Sequence, residues 1–132
     1  NAASELLDRD MRIVLMAPAF GLAENFQKIA GEKGLDEWEN SGYRPYFHHG
    51  LNKEIKLNWD FMVSAQEMSW PKINHPTVVI HGISDEIVQI ESSRKVAESN
   101  SNVELIEVED GHRLGKSLHF IPIAVEKVLS MR

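Results

Sequence analysis

The pattern of apolar and polar positions divides the chain into strand-like, helix-like and irregular stretches. Near the start, Arg12-Ile13-Val14-Leu15-Met16-Ala17-Pro18 is an apolar run of strand length ended by proline. A second run, Thr77-Val78-Val79-Ile80-His81-Gly82, is introduced by Pro76. Continuous apolar strands belong to parallel sheets covered on both faces. A third, Val103-Glu104-Leu105-Ile106-Glu107-Val108, alternates in its second half, as an edge strand with one wetter face does. Residues 91–100, between the second and third runs, read as a polar helix. Residues 117–131 read as a closing helix, with Leu118, Ile121, Val125, Val128 and Leu129 at helical spacing. Pro122 is expected to break or delay its first turn. Residues 2–9 read as a short helix. The β-α-β-α order implies an α/β fold with parallel pairing and right-handed crossovers.

Residues 21–70 do not follow this pattern. They are too long for an ordinary connection and hold all three Trp, both Tyr and three of the five Phe. Helical patterns occupy residues 23–30 and 60–68, and residues 43–57 predict a hairpin turning near residues 50–53. The whole is expected to be an inserted cap or lid over the sheet. Trp38, Tyr43, Tyr46, Phe47, Trp59 and Trp70 are candidates to line an acyl or alcohol pocket, as apolar pockets often carry aromatic walls. Packing of the cap is the alternative use of the same rings.

Composition narrows the function. Hydrophobic residues make up 42% of the 132 positions, a globular proportion. The net charge of −6, with acidic and basic residues interspersed, offers no basic face for phosphates, so nucleic acid is not an expected partner. With no cysteine there is no disulfide, thiolate metal site or thiol nucleophile. No apolar run approaches the roughly 20 residues of a membrane helix, and no membrane partner is expected. The opening Asn1-Ala2-Ala3-Ser4-Glu5-Leu6-Leu7 shows no initiator Met and no signal segment, and reads as a helix already under way. The expectation is a fragment of a longer, cytoplasmic protein. Its strand at residues 12–16 would be an exposed edge that self-associates or recruits a missing N-terminal half.

Two short motifs carry the candidate chemistry. His81-Gly82-Ile83-Ser84-Asp85 directly follows a buried strand, and Asp110-Gly111-His112 directly follows the next. Loops at the carboxyl ends of parallel strands share one crevice, so Asp85 and His112 are expected within hydrogen-bonding reach. A carboxylate bonded to one imidazole nitrogen fixes the tautomer that lets the other nitrogen take a proton. Gly111 suits a tight turn with positive φ before the histidine. Glu86 is a rival acid, but spacing from His81-Gly82 favours Asp85. His81, at a strand end, reads as structural support for the acid loop. His48 and His49 are adjacent and diverge on a strand, so no metal site is expected. The alternating charges at residues 53–56 read as a solvated face.

The segment Pro76-Thr77-Val78-Val79-Ile80-His81-Gly82-Ile83-Ser84-Asp85-Glu86-Ile87-Val88, followed by Glu109-Asp110-Gly111-His112, is similar to the last two strands of α/β-hydrolases. The closest resemblance is to small esterase-like members. It implies that Asp85 is the acid and His112 the base of a Ser-Asp-His triad, in the family order of serine, acid, histidine. The strand at residues 12–16 would match the one after the nucleophile helix, and residues 1–7 would continue that helix. Two departures stand out. Gln89 occupies a place where the family often has proline, and no Gly-x-Ser-x-Gly elbow occurs in the sequence. Ser4 lacks flanking glycines and a preceding strand, and is not taken as the nucleophile. The resemblance therefore implies a small-molecule ester-like substrate, a nucleophile upstream of residue 1, no cofactor, and no turnover by residues 1–132 alone. Dehalogenases and epoxide hydrolases, which use an Asp nucleophile with the same pair, and a non-catalytic binding module are the alternatives.

Overall fold

The computed structural model describes residues 10–132. The helix expected at residues 2–9, and Ser4 within it, lie outside the described residues. In chain order the elements are β1 (Ile13–Met16), α1 (Leu22–Ser41), β2 (Tyr43–His48), β3 (Lys53–Asn58), α2 (Trp59–Glu67), β4 (Thr77–Gly82), α3 (Glu91–Ser99), β5 (Val103–Val108) and α4 (Phe120–Ser130). They gather into two compact units. One comprises the described residues up to Phe20 together with Trp70–Arg132, and the other is Gly21–Ser69.

The first unit is a three-stranded parallel sheet in the order β1-β4-β5, pairing Ile13 with Thr77, Met16 with Ile80, Thr77 with Val103 and Gly82 with Val108. All six residues of β4 are buried, as a central strand without a polar alternation should be. Alternation instead sorts its side chains between two apolar layers. Val78 and Ile80 join Val108, Leu114 and, from α4, Ala124 and Val128. Val79 joins Val103, Phe20, Ile73 and, from α3, Val96. Each buried aliphatic side chain contributes about 1.5–3 kcal/mol relative to exposure, which makes β4 the main apolar anchor of the unit. Pro122 does not break α4. It is the third residue of the helix, inside the first turn, where backbone N–H groups have no helical acceptor.

The second unit folds around aromatic rings. Trp38 is 1% exposed and donates its indole N–H to the Leu57 carbonyl at 2.9 Å. Its ring stands edge-on to Trp59 with centroids 5.4 Å apart, and Phe26 bridges to Phe61 at 5.2 Å. Strands β2 and β3 form the antiparallel hairpin, from Tyr43 opposite Asn58 to His48 opposite Lys53. Helix α1 runs eleven residues past the pattern at residues 23–30, because Gly31 takes φ 67° and bends the helix instead of ending it. Among the described residues no helix is long and apolar enough to cross a membrane.

Candidate active site

The loops after β4 and β5 are joined before any side chain is considered. Ile83 N–H donates to Val108 O at 2.9 Å and Ser84 N–H to Asp110 O at 3.1 Å, which extends the strand pairing into both loops. This crossing needs Gly82. A Cβ at that position would stand 2.3 Å from Asp110 O, closer than atoms can approach.

Asp85 then folds back under its own loop. Its side chain is fully buried, and Oδ1 accepts from the N–H groups of Ile87 at 2.9 Å and Val88 at 2.8 Å. Oδ2 lies 2.9 Å from His112 Nδ1. An ionised carboxylate only accepts, so Nδ1 carries the hydrogen and, in the neutral ring, Nε2 is left with its lone pair. The His112 side chain is 36% exposed, and Nε2 has no hydrogen-bond partner among the described residues. Burial pushes the Asp85 carboxyl up. The Val88 amide, the His112 ring and the Ile87 amide outweigh it and hold the group below its ordinary 3.8. The carboxyl is therefore ionised at neutral pH.

The histidine loop is organised by Asp110. Its Oδ1 accepts from Gly111 N–H at 2.9 Å, and Oδ2 from Lys116 N–H at 2.8 Å and Ser117 Oγ–H at 3.0 Å. Desolvation raises its carboxyl, but the Gly111, Lys116 and Ser117 hydrogen bonds carry the net shift downward. Leu114, 1% exposed, plugs the same loop into the layer beneath α4. Gly111 does not adopt the positive φ expected of it. Leu114 takes that conformation at φ 50°, while a Cβ on Gly111 would come within 3.2 Å of Glu86 Oε2. Asp85, rather than Glu86, bonds the His112 ring.

Five of the six aromatic candidates fall in the second unit. Trp38 is buried at its centre and Trp59 half-buried against it. Tyr43, Tyr46 and Phe47 on β2 are 41, 39 and 48% exposed, and Lys56 Nζ sits 4.2 Å over the Tyr43 ring. Trp38, Tyr43 and Pro45 help line a surface cavity of about 620 Å³ within this unit. Trp70 belongs with the sheet, where Lys95 Nζ lies 3.8 Å over its ring. His48 caps the hairpin turn, its Nδ1 accepting from Leu51 N–H at 3.2 Å. No cluster of His, Asp and Glu suited to a metal ion occurs among the described residues.

Residues 5–127 match the model of the uncharacterised protein family UPF0227. The chain belongs to that family. No curated protein matches it by sequence. Among solved structures, alpha/beta hydrolase domain-containing protein 10 from mouse aligns over 88% of this chain and 50% of its own, at 20% identity and a TM-score of 0.68. Est1E from Butyrivibrio proteoclasticus aligns over 89% of this chain and 48% of its own, at 21% identity and a TM-score of 0.60. This UPF0227 member thus has the α/β-hydrolase fold, and it spans about half the length of the structures it matches. Its parallel sheet and flanking helices correspond to a C-terminal part of that fold.

Three supporting residues carried no functional signal in the sequence. Ser93 looks like any polar residue of an exposed helix, yet it is fully buried against His81. Asp110 was visible only as a neighbour of His112. Gly82 stood in the motif, but its need, the backbone crossing above it, is a tertiary contact. A glycine ending a strand of mostly apolar residues was the one available hint.

Proposed function

We propose that this chain provides the acid and base of a serine hydrolase that acts by ester-type acyl transfer, with the nucleophilic serine in sequence N-terminal to Asn1. The observation that carries the reading is the 2.9 Å contact between a buried, ionised Asp85 and His112 Nδ1, with His112 Nε2 unbonded among the described residues. In such a reaction Nε2 takes the serine proton as the oxygen attacks the substrate carbonyl, and then returns it to the departing alcohol oxygen. A water repeats the cycle, releasing the acid and restoring the serine. Asp85 stays ionised throughout, holding the ring and balancing the imidazolium that forms. This chemistry calls on no metal or cofactor. With no Gly-x-Ser-x-Gly in the sequence, residues 1–132 alone are inactive in this reading. Trp38 and Trp59 serve packing within their own unit.

The test uses the full-length protein and a fluorophosphonate probe. One serine upstream of residue 1 should be labelled, and His112→Ala should abolish the labelling. No labelled serine in the parent protein, or undiminished labelling of the variant, would remove the proposal.

A further inference from the structure

Alternation along β4 sends Thr77, Val79 and His81 to the side of α3, and Val78 and Ile80 to the side of α4. His81 is therefore a polar group beneath the acid loop, 0% exposed, where every ring nitrogen needs a partner. Nδ1 lies 2.7 Å from Ser93 Oγ on α3, and Nε2 lies 2.8 Å from Val88 O. Nε2 is also 3.2 Å from Asp85 Oδ2. A carbonyl can only accept, so Nε2 carries the hydrogen, and in the neutral ring Nδ1 accepts from the Ser93 hydroxyl. Val88 is the key to what this arrangement does. His81 holds its carbonyl while its own N–H holds Asp85 Oδ1. The imidazole thus grips the residue that grips the acid, and its Nε2–H faces the oxygen shared with His112.

We propose that His81, held in its Nε2–H tautomer by the Val88 carbonyl and seated by Ser93, is the positioning residue that aims Asp85 at His112. The catalytic meaning of this role rests on the hydrolase reading above, whereas its geometry does not. An apolar side chain of similar volume would fill the space but leave Val88 O without its donor and release one end of the acid loop. A purely packing residue has no such consequence for His112, more than one hydrogen bond away.

The experiment is nuclear magnetic resonance on the full-length protein, following the His112 Nδ1–H proton and the exchange of the Ile87 and Val88 amides. His81→Asn keeps an acceptor near Nδ1 and removes the donor at Nε2, whereas His81→Gln brings an amide N–H to the Nε2 position. With His81→Asn, the His112 Nδ1–H signal should be lost to water exchange and the two amides should exchange about tenfold faster or more, the scale of one lost hydrogen bond. His81→Gln should keep the signal and hold both rates within about threefold of the parent. Ser93→Ala, which removes the Nδ1 partner but leaves the Val88 carbonyl in place, should fall between the two. An unchanged signal and unchanged amide rates in His81→Asn overturn the proposal. So does equal damage by Asn and Gln that extends to the amides of β1 and α4, since that marks a residue needed only for packing. Fluorophosphonate labelling of the parent sample is read separately. Its failure would sink the hydrolase reading and leave the role of His81 in holding the acid loop intact.

Discussion

In the sheet unit the core is aliphatic and a cluster of buried polar side chains, Asp85, His81 and Ser93, sits at one rim, whereas in residues 21–69 the core is aromatic and carries an exposed hairpin. At the rim, the carboxylate of Asp85 is met by two backbone amides and an imidazole, and it sits between two imidazoles. In the other unit a guanidinium nitrogen of Arg44 is buried without a hydrogen bond, its charge held 5.3 Å over the Trp38 ring. Such a cation–ring contact contributes about 0.5–2 kcal/mol and tolerates loose geometry. A carboxylate that must meet one ring nitrogen does not. At the ends of β4 and β5 the backbone hydrogen bonds that join the two loops hold Asp85 and His112 in register.

The largest expected effect separates chemistry from fold. Asp85→Asn keeps the size of the side chain but offers His112 Nδ1 a competing donor or a neutral acceptor. Fluorophosphonate labelling of the full-length protein should slow by about 10⁴, the loss seen when a triad acid is made an amide. Thermal unfolding of the variant should remain cooperative. A rate within about tenfold of the parent would mean that the carboxylate charge is not used, and the rim would no longer count as a built site.

Next in size is a test of whether the two cores are separate. Trp38→Ala removes the ring on which Phe26, Trp59 and Arg44 converge. A cost of about 3–5 kcal/mol is expected for a large aromatic lost from a core. Amide exchange should rise throughout α1, α2 and the hairpin, while the His112 Nδ1–H signal persists. Loss of that signal together with the aromatic core would show that the aromatic unit supports the acid–base pair, and the two cores could no longer be treated as independent.

A smaller change strikes the rim directly. Gly82→Ala puts a methyl group where Asp110 O already stands, 2.3 Å away, with the Gly111 carbonyl oxygen at 2.9 Å. The backbone of the histidine loop must shift, at about 1–3 kcal/mol by the usual cost of overpacking. The expected readout is a weakened His112 signal and faster exchange at Ser84, whose N–H donates to Asp110 O. Unchanged spectra would mean that the loop has slack which the geometry does not suggest.

How much of this was readable in the sequence follows from the range of each interaction. The apolar runs that became β1 and β4 and the partly alternating run that became β5 are local signals, and their strand length, with Pro76 before β4 and Gly82 at its end, separates β4 from a buried helix. The positions of Asp85 and His112 just past two such strands were legible for the same reason. The helical pattern at residues 23–30 stops short of the end of α1 because glycine reads locally as a breaker, whereas the chain uses Gly31 as a bend. The geometry around the pair was less accessible. Leu114 rather than Gly111 takes the left-handed turn because burial of its side chain beneath α4 outweighs the local preference. The Ser93–His81 contact joins residues twelve apart on a helix and a strand, and nothing in either local pattern announces it.

The smallest effect expected is a pH dependence, and its sign follows from the direction of the shift. The folded-state carboxyl of Asp85 lies below its ordinary 3.8, while the unfolded chain restores the ordinary value. A depressed group stabilises the fold fully above its unfolded pKa, and the contribution is lost as pH falls through the lower folded value. Asp110, shifted the same way by its three hydrogen bonds, adds a second contribution of the same sign. Urea unfolding of the parent should therefore show stability falling from about pH 5 towards pH 2. Asp85→Asn should flatten part of that slope and Asp110→Asn another part. An Asp85→Asn curve parallel to the parent would mean that the acid is not held ionised by the Val88 and Ile87 amides and His112, and the rim would lose its electrostatic role.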